Sequence, residues 1–187
     1  YIYMGFGLGT PAGMLASIYH IVSHAATKAL LFVAASGLTD TADDNTDFFS
    51  LTGAGYRNKL AGVAFTVGSL SMVGIPMFSG FISKLLFAQA GMGVDSMKKM
   101  LPTLIALAIS TILNAVYFMK TVIRALSKEV SELKKRREER KNFRCVKMTE
   151  TPAKSFALIC FIILNLFLGL CSEPIIRLIQ NGLEMFA

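Results

Sequence analysis

PAGMLASIYHIVSHAATKALLFVAASGL, residues 11–38, is the stretch whose reading decides the fold. It is long and apolar enough to cross a bilayer as a helix, which takes about 20 residues. It also carries His20, His24 and Lys28 at i, i+4 and i+8, a spacing that stacks three side chains on one helix face. Tyr19, Ser23 and Thr27 repeat the interval one position earlier and widen the polar stripe. Lys28 is the only Lys, Arg, Asp or Glu between Tyr1 and Thr39. A charge at that depth costs about 2.5–3.5 kcal/mol on insertion scales and by default marks an ion path. The competing reading is a lysine that snorkels to the headgroups. Lys28 lies at least ten residues from either helix end, a long reach for snorkelling, and we favour the ion path.

Outward from this stretch, the composition has the same character. Of 187 residues 53% are hydrophobic, and the mean hydropathy is +0.56. The apolar residues come in blocks, which describes an all-α, polytopic transmembrane bundle rather than a soluble domain. The opening YIYMGFGLGT reads as the end of a helix that starts upstream. No basic run or cleavage site marks it as a signal peptide, so we expect this chain to be part of a longer polypeptide. Gly5, Gly7 and Gly9 do not form a dinucleotide loop, because no strand precedes them.

The net charge of +7 is concentrated in one place. Residues 120–154 hold twelve of the nineteen Lys and Arg but five of the twelve Asp and Glu, so the whole excess belongs to that segment. Such a run argues against a nucleic-acid surface and for a cytoplasmic loop under the positive-inside rule. Cys145, Cys160 and Cys171 form no CxxC pair, and neither a metal site nor a disulfide framework is suggested.

Four spans follow. The first covers residues 11–38, and the polar 39–59 segment after it reads as a loop. The second runs from about Leu60 to Gly93 with Lys84 as its one charge, and is broken at Gly74, Pro76 and Gly80. Proline removes a backbone donor and clashes with the preceding turn. In a membrane such a break is tolerated where it is buried in protein or lines a hydrated cavity, and transporters build ion sites there. The third span, about 101–126, has Asn114 as its most polar interior residue and runs into SKEVSELKKRREERKNFRCVK, which reads as a solvated helical extension. The fourth covers about 153–172. After Pro174 a short amphipathic helix is expected at the membrane interface. With the basic segment cytoplasmic, the 39–59 loop falls on the cytoplasmic side as well, four aspartates included.

Histidine titrates near neutral pH and can accept and pass a proton; a buried lysine can do likewise. Residues four apart on a helix rise about 6 Å, too far for direct transfer but suited to one bridging water. The stripe therefore describes a proton relay better than zinc, which would need a third ligand that these spans do not offer. Lys84 follows the helix break by eight residues. It is either a second relay group beside freed carbonyls or a lysine facing the headgroups, and counting along the span leaves both open. Ser23, Thr27, Ser83 and Asn114 are candidates to line the path, with interhelical packing the commoner role for Asn114.

HIVSHAATKALLFVAASG resembles the H-xxx-H-xxx-K-ALLF-xx-AG segment of the antiporter-like proton-translocating subunits of respiratory complex I, membrane-bound hydrogenases and multi-subunit sodium/proton antiporters. GIPMFSGFISKLLF is similar to the second broken helix of that family, and the likeness covers about residues 1–127. The resemblance implies a larger bundle of two inverted repeats, each with one broken helix, of which this chain holds the C-terminal portion. It assigns His20, His24 and Lys28 to the relay on the intact helix and Lys84 to the ionisable position of the broken one. The family's earlier broken helix, with its lysine and the paired glutamate, lies outside these 187 residues.

We therefore expect three parts: a transmembrane bundle over 1–127, a basic cytoplasmic linker over 128–152, and a final span with an interfacial helix over 153–187. The expected function is translocation of protons, and possibly of sodium, as a non-catalytic subunit of a redox-driven pump or of an antiporter, in a bacterial or archaeal cell membrane. Its partners would be the other subunits of that complex and the lipid bilayer. No cofactor, metal or nucleic acid is expected on this chain. The alternative is a scaffold subunit that anchors partners through the basic linker and has no ion path of its own.

Overall fold

The computed structural model describes residues 1–42, 45, 47–127 and 151–185. These residues form eight helices and no strand. The helical extension expected over 128–147 lies outside them.

Helix α2 (Pro11–Asp40) is the hub. Thr10 caps it, its side chain accepting from Gly13 N–H, and Pro11 takes the first helical position, where a missing donor costs nothing. With 30 residues it is about 45 Å long, and it runs without interruption past α1 (Ile2–Leu8), α4 (Lys59–Val73) and α5 (Ser79–Met92). It also packs against α7 (Pro152–Leu170) and α8 (Glu173–Glu184). At its C-terminal half, Leu30, Ala34 and Leu38 meet Ala61 and Ala64 of α4, Ala125 of α6 (Met97–Ala125) and Leu158 of α7. Small residues there let the helices approach closely, the usual basis of packing where lipid supplies no hydrophobic drive.

α2, α6 and α7 are each long and apolar enough to cross a membrane. α4 has 15 residues, about 22 Å, and falls short alone; its continuation is α5, beyond the break. Two boundaries differ from the sequence reading. The 39–59 loop contains a single helical turn, α3 (Ala54–Arg57), started by Gly53 in the left-handed region. α6 begins at Met97 and so encloses Pro102. Its first turn is tied down by Lys99, whose Nζ donates to Leu8 O at the end of α1, a tertiary bond that local sequence does not signal.

The last helix is amphipathic as expected. Protein covers its apolar side: Ile175, Ile176, Ile179 and Leu183 share one apolar cluster with Leu15 and Tyr19 of α2, which Ile82 and Leu86 of α5 also join.

Candidate functional site

The break between α4 and α5 is a helix stop followed by a restart. Gly74 ends α4 in the left-handed region (φ 89°). Its N–H donates to Ser71 O and that of Ile75 to Leu70 O, the paired closure that glycine permits. Ile75 to Phe78 form the link, with Met77 also at positive φ (83°), and α5 restarts at Ser79. Gly80 sits where a Cβ would collide with Ser71 O.

That closure leaves the carbonyl of Val73 over, and Lys84 takes it. Lys84 Nζ donates to Val73 O at 2.6 Å and to Thr111 Oγ1 of α6 at 3.0 Å. The ammonium thus sits at the end of α4 where the helix concentrates partial negative charge. The lysine lies on the wall of the bundle's polar interior.

Beside it opens a cavity of about 220 Å³, lined by His20, Ser23, His24 and Thr27 of α2, Ser71 and Met72 of α4, Gly80, Ser83 and Lys84 of α5, and Ser110 and Asn114 of α6, with Tyr1 at one end. A space of this size with polar walls can hold several waters. His20 Nδ1 is hydrogen-bonded to Ser83 Oγ at 2.8 Å, and its ring stacks on Tyr1 at 4.8 Å between centroids. The His20 and His24 rings are 5.3 Å apart, a separation that one water can bridge.

The structure therefore brings His20, His24 and Lys84 to one cavity, together with Ser23, Thr27, Ser83 and Asn114. Lys28 is not among its lining residues. It is half-buried one turn beyond His24, and Thr27 is the last α2 residue on the wall. Among the described residues no three His, Cys, Asp or Glu side chains gather as a metal site would need.

Residues 1–116 match the family described as NADH:quinone oxidoreductase/Mrp antiporter, TM. The chain belongs to this antiporter family. Over 177 residues, 95% of this chain and 33% of the relative, it is 29% identical to a Na(+)/H(+) antiporter subunit of Alkalihalophilus pseudofirmus. It is 38% identical over 84 residues (44% of this chain, 8% of the relative) to a probable K(+)/H(+) antiporter subunit of Rhizobium meliloti. To NADH-ubiquinone oxidoreductase chain 5 of Geomys personatus it is 32% identical over 111 residues, 59% of this chain and 18% of the relative. The chain spans a third or less of the length of these curated relatives. Membership of the antiporter family and the three long apolar helices make this an integral membrane protein.

Several residues at this site of the antiporter-family chain escape a sequence reading built on charges. Ser110 and Thr111 precede Asn114 by one turn on α6, a polar group visible in the sequence once Asn114 is noticed. Ser71 and Ser79 flank the break. Asn165 is fully buried in α7 and bonds to Thr27 and Ser79; its signal was that no other Asn, Gln, Ser, Thr or His lies between Ser155 and Ser172.

Proposed function

We propose that this chain is the C-terminal part of a subunit that moves protons across a membrane, with His20, His24 and Lys84 exchanging them through water held in the cavity. Lys28 continues the line one turn beyond His24, just past the cavity wall. The observation that carries the reading is the convergence of two imidazoles and an amine from an intact and a broken helix on one polar space. Imidazole supplies a group that gains and loses a proton near neutral pH. The amine holds its proton against the carbonyl that the break leaves over and a hydroxyl of α6. The relatives named as Na(+)/H(+) and K(+)/H(+) antiporter subunits and as an NADH-ubiquinone oxidoreductase chain support a place in a multi-subunit membrane complex. In this reading the complex lies in a bacterial or archaeal cell membrane, its driving force is a redox reaction on other subunits or a sodium gradient, and the basic 120–154 segment faces the cytoplasm.

The test is coupled proton transport by the full-length subunit in its complex, reconstituted in vesicles. Lys84→Ala is expected to abolish coupling and Lys28→Ala to reduce it, each with normal assembly. Undiminished transport in both variants refutes the relay.

A further inference from the structure

The link between α4 and α5 is held from behind by the last long helix. Leu168, Gly169 and Asn165 lie on one face of α7 at spacings of three and four residues, and each meets the break or the helix beside it. Tyr19 OH of α2 donates to Leu168 O at 2.6 Å. Gly169 lies so close to the link that a Cβ would stand 2.1 Å from Met77 O. Asn165 Nδ2 donates to Thr27 Oγ1 at 2.8 Å, and its Oδ1 accepts from Ser79 Oγ at 3.1 Å.

These bonds belong to a closed set. Thr27 Oγ1 donates to Ser23 O at 2.8 Å. Gly80 N–H donates to Ser71 Oγ at 3.2 Å. Ser71 Oγ is 3.2 Å from both Thr27 Oγ1 and Ser79 Oγ, so its proton goes to one of them. Every polar atom of Thr27, Ser71, Ser79 and the contacting edge of Asn165 then has a partner, and all four residues are buried. A fully satisfied polar network in low dielectric is rigid, whereas losing one member strands the rest. This network ties α2, α4, α5 and α7 together at the first residue of α5, five positions before Lys84.

We infer that Asn165 is a positioning residue: it clamps the start of α5 to α2 and so fixes where the Lys84 amine sits in the cavity. The geometry stands without the relay; the effect on transport rests on that reading. Asn165→Leu keeps volume but breaks both bonds, and Ser79→Ala breaks one of them from the other side with little change in shape. Two measurements on the full-length complex decide the matter: hydrogen exchange of the peptide covering 74–81, and the pH profile of proton transport. Both variants are expected to assemble, to exchange faster over 74–81, and to lose at least about tenfold in transport, since small misplacements of reacting groups cost that much or more. The pH profile of the remaining transport is expected to move, because the titratable groups of the cavity (Tyr1, His20, His24 and Lys84) no longer face one another as before.

Unchanged exchange in the assembled variants overturns the clamp. So does faster exchange with transport reduced but its pH profile unmoved, the mark of a purely structural role. Failure of both variants to assemble also overturns it, because Asn165 would then be part of the framework. If Lys84→Ala and Lys28→Ala both transport normally, the relay fails by itself, and faster exchange in Asn165→Leu still upholds the clamp.

Discussion

At Gly74 two demands meet in one residue. Its φ of 89° is open to glycine but strains a residue with a Cβ, and a Cβ there would stand 2.8 Å from Lys84 Cδ. Gly74→Ala is therefore expected to cost about 1–2 kcal/mol for the left-handed backbone and to push the amine off Val73 O. The check is thermal unfolding of the complex together with proton transport, which should fall nearly as far as in Lys84→Ala. Thr111→Val is the milder companion. It keeps shape and removes one acceptor from a charged donor, an interaction worth about 1.5–3 kcal/mol. Transport should drop about tenfold with assembly unchanged, and transport at the original rate would show that Val73 O alone holds Lys84. Lys84 itself was legible, as the one charge in an apolar span with a proline break before it. Its two acceptors were not, because a carbonyl left over by a helix closure and a threonine on another helix have no local pattern.

At the scale of the element, α8 shows where periodicity informs and where it stops. The spacing of Ile175, Ile176, Ile179 and Leu183 announces an amphipathic helix. It does not say what lies against the apolar side, and the packing against α2 comes from the fold. Ile179 is 8% exposed within that cluster. Ile179→Asp would place an unpaired carboxylate against Leu15 and Tyr19, at a cost of several kcal/mol. Release of α8, with α1–α7 intact, is the expected result, read as new protease cleavage after residue 170. Resistance equal to that of the unaltered chain would mean the helix is held by other contacts. Element starts were less legible than elements: α6 begins before Pro102 because Lys99 is anchored to α1, and α3 hides in a segment whose polar residues read as loop.

For the whole molecule, the order of spans and the break could be read from hydropathy and from Gly74, Pro76 and Gly80, while the pairing of α7 with the break could not. Asn165 and Ser79 are 86 residues apart, and nothing local relates them. The far ends of α2 and α7 are joined as well, by the ion pair of Asp40 with Lys154. Both side chains are partly exposed, so the pair is worth under about 1 kcal/mol and should weaken with salt. A double-mutant cycle of Asp40→Asn and Lys154→Gln, followed by unfolding at low and high salt, is expected to return a coupling of that size or less. A larger value would mean that the pair is shielded from solvent in the assembled complex.

The two kinds of helix that face the cavity differ in what they can vary. Because α2 is a single continuous rod, the interval between the backbone positions of its two histidines is set by helical rise. The amine rides on a segment that begins afresh after a turn of irregular backbone, so its distance to the rings depends on how that segment is seated against α2. In the proposed relay the adjustable distance is therefore the one on the lysine's side, and the two histidine positions on α2 are the fixed reference.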